Sequence, residues 1–373
     1  MKAHRITVER CNHGEPIIAP THRAWETGVT FNAAALYLKR SAANDHIISA
    51  LLDSPDLDHP DLAGGVVAIH YRARPEEDPG FALVRSFIGL AIFTPDFRLL
   101  RRWDEPVLSP CSDPESYDAY GVEDPRITRF GDVFYMVYCG PAADLVYGYK
   151  ANLCLAVSRD LIQWDKLGPL TGDVNATNNK DGVLFPNTID GKYYLLHRPC
   201  GPGLPQSEFV MRLASSGSPT GPWQDCGEVL RAFPNPAHRT SWVGAGSVPI
   251  AVGEDQYAVI YHTGNFLNEV DREYDLDAAL FDFAAYREGG PAALVRGRIE
   301  HLMVPETAAE LRSRSRLQVA NVLFACGSYS YSDHVYIIYG GADTYTLAAR
   351  VNQAELFAAL QQADLMNPFI GQG

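Results

Sequence analysis

The chain has 373 residues, 46% of them hydrophobic and 20% charged, with a formal net charge of -14 at pH 7. That supplies a large buried core, and an acidic chain with no basic block repels a phosphate backbone, which excludes nucleic acid as a partner. The opening residues contain no apolar stretch of signal-peptide length, no run of 18 apolar residues exists, and the seven cysteines are scattered without a CxxC pair; the expectation is a cytoplasmic protein with reduced thiols, no membrane association and no zinc ribbon.

In chain order, the first candidate strand is VTFNAAALYL (29–38). Residues 41–64, polar and rich in turn formers, read as an inserted loop. VVAIHYRAR (66–74) then opens a series of five aromatic and β-branched runs that end near Tyr or His. The others are VFYMVYCGP (133–141), KYYLLHRPC (192–200), QYAVIYHTG (256–264) and HVYIIYGGA (334–342), at spacings of roughly 60 to 80 residues. Upstream of each lies one more candidate strand, as in GVEDPRITRF, DGVLFPNTID, GAGSVPIAVG and NVLFACGSYS. Downstream lies another, rich in small and apolar residues, as in FIGLAIFTPDF and NLCLAVSRDLIQW. Strand, turn, strand, turn, strand, five times over, predicts an all-β five-bladed β-propeller formed by residues 1–373 as a single domain. A two-sheet sandwich is the competing architecture. Helical patterning is confined to PETAAELRSRSR (305–316) and to a C-terminal helix at NQAELFAALQQADL (352–365), with Asn352 as its N-cap.

In a propeller the first strand of every blade faces the central axis, so polar residues there line one funnel. Those segments carry Asn32, then Glu123, Asp124 and Arg126, then Lys180 and Asp181, then Trp242 ahead of Gly244. The neighbouring strand ends add Arg72, Arg198, Tyr261 with His262, and Asp343. A carboxylic acid in a ring of cations is what glycosidic cleavage needs: a proton for the leaving oxygen, and a second group that supplies or orients a nucleophile. No GxGxxG follows a strand and no His/Cys set clusters, so neither a nucleotide cofactor nor a metal is implied.

The ordered series GVEDPRI (121–127), KDGVLFP (180–186), YYLLHRP (193–199), GAGSVPI (244–250) and YGGAD (339–343) resembles glycoside hydrolase family 130, which contains β-mannoside phosphorylases and β-mannosidases on five-bladed propellers. The resemblance implies that Asp124 is the proton donor, acting through a sugar hydroxyl. It further implies that Arg198 and His262 contact phosphate in a phosphorylase, and that Asn32, Arg72 and Asp343 belong to the mannosyl pocket. Two positions depart from the phosphorylase pattern: Trp242 stands where a Lys is usual, and Asp181 where Asn is usual. At an effective dielectric near 20, one unit charge at about 4 Å is worth roughly 4 kcal/mol before desolvation, so both changes disfavour a dianion. The reading leans accordingly to an inverting β-mannosidase with Asp181 as base. Inorganic phosphate would be a co-substrate in the phosphorylase alternative. A furanosidase lacks its first-blade carboxylate here, and a non-catalytic carbohydrate-binding propeller is the alternative outside enzymes. An oligosaccharide or small glycoside is the expected ligand, and a homo-oligomer is left open.

Overall fold

A computed structural model describes residues 6–79, 84–144, 150–233, 237–268, 271–313 and 319–363, and the backbone of 369–370. The strands form five sheets meandering outward from the axis, antiparallel except where Phe369–Ile370 joins one of them in parallel. Blade 1 is Val29–Leu38, Val66–Arg74, Phe87–Phe93 and Leu99–Arg102; blade 2 is Glu123–Phe130, Val133–Ala142, Lys150–Ser158 and Asp165–Pro169. Blade 3 is Asn179–Leu184, Tyr193–Pro199, Met211–Ser216 and Gln224–Leu230. Blade 4 is Thr240–Ala245, Gln256–Phe266, Arg272–Asp282 and Val295–Met303, with Ile250–Gly253 and Phe369–Ile370 added at its edges. The five-bladed propeller expected from the repeat is the fold observed.

Blade 5 is composite. Leu323–Tyr331, His334–Gly341 and Tyr345–Asn352 come from the end of the chain, and its outer strand, Val8–Arg10, comes from the beginning. Val8 pairs with Val351 and Arg10 with Ala349, which ties the ring shut and covers an otherwise open sheet edge. Arg10 anchors this strand by donating to the buried Glu310 at 2.8 Å and to the Val304 carbonyl at 2.7 Å. The five repeated runs did not reveal this strand, because three residues carry no periodicity.

Apolar side chains fill each seam between neighbouring blades. Ile127 and Phe134 meet Ile88 and Leu90 between blades 1 and 2; Phe185 and Leu196 meet Tyr257 and Phe281 between blades 3 and 4; Ile337 and Leu347 meet Ile260 and Leu276 between blades 4 and 5. Such seams make the blades mutually rigid, which is the condition for residues from different blades to share one site.

Residues 41–64 are not simply a loop. Ala42–Leu52 is an α-helix whose Ile47, Ile48 and Leu51 are buried in the seam between blades 1 and 2, followed by a single turn at Pro60–Leu62. The Asp, Ser and Pro residues of the segment masked a short apolar stripe with helical spacing. The C-terminal helix is Gln353–Gln362, with the Asn352 side chain accepting from the Glu355 amide at 3.0 Å. The other expected helix is a single turn, Ala308–Leu311, closed by a Thr307–Glu310 capping box; positions 314–316 and 364–365 of the two expected segments lie outside the described residues.

Candidate active site

The inner strands of blades 1, 2 and 3 each slip register at the same height, between Phe31 and Ala34, between Glu123 and Arg126, and between Lys180 and Val183. Each slip is a bulge holding one residue with positive φ: Asn32 at 44°, Asp124 at 53° and Asp181 at 58°. Asn and Asp tolerate this left-handed backbone better than other L-residues, and a bulge re-aims the side chain toward the axis. The composition of the site is thus partly dictated by the backbone that presents it.

Asp124 is the centre of the first cluster. Its Oδ1 accepts from Asn32 Nδ2 at 2.9 Å and from Arg72 Nη1 at 3.0 Å. Arg72 also donates to Glu123 Oε1 at 2.5 Å and to Ser86 Oγ at 2.9 Å, while Lys180 Nζ lies 3.8 Å from Glu123 Oε2. Burial pushes the Asp124 carboxyl up, but Arg72, Arg126, Lys180 and the Asn32 bond together outweigh it and hold it below the ordinary value. Asp343, at φ 48° in the turn that follows the second strand of blade 5, sits in the same field. Burial, opposed by Arg72 and aided by the Asp124 charge, raises its carboxyl to about 6.

Asp181 is the centre of the second cluster. Arg198 Nε donates to its Oδ2 at 2.6 Å, Arg126 Nη2 lies 3.6 Å from its Oδ1, and His262 Nε2 lies 3.5 Å from its Oδ2. Burial opposes ionisation, yet Arg198, His262 and Arg126 drive the carboxyl far below the ordinary range. Its side chain is only 1% exposed. Gly244 makes this closeness possible, since a Cβ there would collide with both Asp181 Oδ2 and His262 Nε2. Arg126 is itself buried and ties blade 2 to blade 4 by donating to the carbonyls of Gly246 at 2.8 Å and Ala245 at 3.0 Å.

Beside these clusters lies a cavity of about 410 Å³. Its walls include Lys180, Arg198 and Trp242, and also Arg272, Phe209, Phe266 and Tyr274. The cations are set against rings: the Arg198 guanidinium lies 5.8 Å from the Phe209 centroid and that of Arg272 lies 5.5 Å from the Phe266 centroid. Trp242 joins Phe266 and Tyr274 at centroid distances of 5.0 and 5.3 Å.

Of the residues expected from sequence, Asn32, Arg72, Glu123, Asp124, Arg126, Lys180, Asp181, Arg198, Trp242, His262 and Asp343 converge on this region. Besides the buried Arg126 and Asp181, two more do not meet open space. Tyr261 points away from His262, as alternation along a strand requires, and is buried in the seam between blades 3 and 4. His262 is fully buried behind Asp181. Arg272, Tyr274, Phe209 and Phe266 were missed: they lie at strand ends or next to them, outside the five motifs; the blade 4 hairpin, in which Phe266 pairs with Arg272, carries three of them to the cavity, and Phe209 comes from just before the third strand of blade 3. Among the described residues, no group of three or more His, Cys, Asp or Glu could hold a metal ion, and no helix is long and apolar enough to cross a membrane.

A propeller that gathers a buried carboxyl and several cations from different blades beside an open cavity defines a carbohydrate-active enzyme that works on glycosidic bonds. The chain belongs to glycoside hydrolase family 130: the family model described as beta-1,4-mannooligosaccharide phosphorylase matches residues 79–362. It is 28% identical over 334 residues to a 1,2-beta-oligomannan phosphorylase of Thermoanaerobacter sp. (strain X514), covering 88% of this chain and 92% of that protein. It is 27% identical to a beta-1,2-mannobiose phosphorylase of the same organism, covering 92% of this chain and 96% of that protein. The solved beta-1,2-mannobiose phosphorylase of Listeria innocua, in complex with beta-1,2-mannobiose, shares the fold with a TM-score of 0.70 at 21% identity, covering 96% of this chain and all of the other.

Proposed function

We propose that this chain cleaves β-mannosides by phosphorolysis, releasing mannose 1-phosphate with inversion, and that β-1,2-linked mannooligosaccharides are its substrates. The observation that carries the reading is the cavity wall. In a chain of net charge -14, Lys180, Arg198 and Arg272 share one pocket whose described lining contains no carboxylate, a sign reversal suited to an anion.

In this reading a phosphate oxygen, held at Lys180 and Arg198, attacks the anomeric carbon from the face opposite the leaving oxygen. The glycosidic C–O bond breaks, and the Asp124 proton reaches the leaving oxygen through a sugar hydroxyl. Asn32, Arg72, Glu123 and Asp343 surround the mannosyl unit and fix the acid. Arg126 and His262 act from behind, by holding Asp124 and Asp181 in place. Phosphate is the co-substrate, and no other cofactor is called for. A phosphate dianion beside Lys180 offsets the cations that depress Asp124, so the acid regains its proton when the co-substrate binds.

Two observations weigh against the hydrolytic reading favoured from the sequence. A carboxylate that is 1% exposed and held far below its ordinary pKa by Arg198, His262 and Arg126 neither reaches water nor competes well for its proton. The relatives described above also carry phosphorylase names. The test is incubation with β-1,2- and β-1,4-mannobiose, with and without phosphate. Mannose 1-phosphate formed only when phosphate is present is the expected result; equal release of free mannose in both conditions would overturn it.

A further inference from the structure

The cavity has more cations than one phosphate needs, and more room. A volume of about 410 Å³ falls in the range of sites for drug-sized ligands rather than single oxyanions. Arg198 is charge-balanced by Asp181 at 2.6 Å, and Lys180 lies 3.8 Å from Glu123, on the side of the acid. Arg272 is different. It opens the third strand of blade 4, paired across the hairpin with Phe266, and its guanidinium is held by that ring at 5.5 Å and not, among the described residues, by a carboxylate. Trp242, which stands 5.0 Å from Phe266, extends the aromatic wall of the same cavity. An aromatic wall suits the apolar face of a sugar ring, and a guanidinium beside it suits an anion carried on that ring.

Building on the phosphorolytic reading, we propose that Arg272 with Trp242 and Phe266 forms a leaving-group site for a sugar that itself bears an anion, either a uronic acid carboxylate or a phosphate ester. The group transfer is unchanged: phosphate oxygen bonds to the anomeric carbon, the leaving sugar departs with the Asp124 proton, and its anion stays on Arg272. The aromatic residue at position 242 and the cation at 272 then act together in choosing the acceptor.

The test compares three disaccharides, each with and without phosphate: β-mannobiose, the same disaccharide with its reducing sugar oxidised to a uronic acid, and the same with a 6-phosphate on that sugar. The proposal expects kcat/KM for one of the two charged substrates to exceed that for mannobiose by about tenfold or more, and the arm that responds identifies which anion is meant. Arg272→Gln should collapse that ratio toward one, and Arg272→Lys should recover part of it. A ratio at or below one in the wild type, or a ratio unmoved in R272Q, overturns the proposal, as does a rise in the phosphate KM that is equal for all three substrates. Phosphate dependence is read separately in every arm, so failure of the phosphorolytic reading is distinguished from failure of this one.

Discussion

The Arg72 guanidinium spans two adjacent carboxylates, with Nη1 3.0 Å from Asp124 and Nη2 2.5 Å from Glu123. One side chain from blade 1 therefore both depresses the Asp124 carboxyl of blade 2 and orients it. Asp124→Asn is expected to lower kcat by about 10²–10⁴ while the fold persists by circular dichroism. Arg72→Gln should also lower kcat and move the alkaline limb of the pH–rate profile to higher pH, because the carboxyl that must be protonated loses its nearest cation. A purely carbohydrate-binding propeller would show neither effect and no turnover.

Asp181→Asn separates the two readings of the second cluster. The carboxylate neutralises Arg198 and Arg126 beside the His262 ring, which burial holds toward its neutral form, and removing one partner of a buried ionic cluster typically costs about 3–5 kcal/mol. The variant should unfold at lower denaturant concentration, yet bind phosphate more tightly, because Arg198 is released. A lower phosphate KM with measurable turnover is the expected outcome. Complete loss of turnover in a folded protein would return Asp181 to the role of base.

Stability should fall as pH rises from about 7 to 9. The bond to Asp275 at 2.9 Å raises His301 to about 9, and burial raises Asp277 to about 7. Each folded value exceeds its unfolded one, so the native state binds more protons across that window and loses stability as they leave. Below that window, the buried His70, His197 and His262, whose values burial lowers, act in the opposite sense. Thermal unfolding followed at several pH values checks this, and Asp277→Asn should flatten the curve near pH 7.

The ring closure is open to a direct test. Arg10→Met leaves Glu310 buried without its 2.8 Å partner, with an expected loss of about 3–5 kcal/mol, measured by denaturant unfolding. Glu310→Gln in the same background should recover part of that loss, since a neutral amide costs less to bury than an unpaired carboxylate.

Much of this molecule is decided locally. Alternating aromatic and β-branched runs between turns can bury only one kind of surface, so five of them specify five blades, and GVEDPR places an Asp at the left-handed position that the bulged strand needs. The helix at Ala42–Leu52 reads as loop in the sequence, because the apolar stripe of Ile47, Ile48 and Leu51 lies within a polar composition. Other features exist only once the ring is closed. Val8–Arg10 finds its partners some 340 residues away, and no local pattern encodes a pairing of that separation. Tyr261 and His262 are neighbours in sequence but are sent to opposite sides by strand alternation. Asp181 reads as a free carboxylate in the chain, and the guanidiniums of Arg126 and Arg198, with the His262 ring of blade 4, make it a buried counter-ion. Arg272 belongs to no motif, and it becomes part of the site because the blade 4 hairpin carries it to the cavity. Sequence sets which groups are present and which way each strand faces; charge balance and access to solvent depend on what other blades bring within a few ångströms, and that is decided by packing.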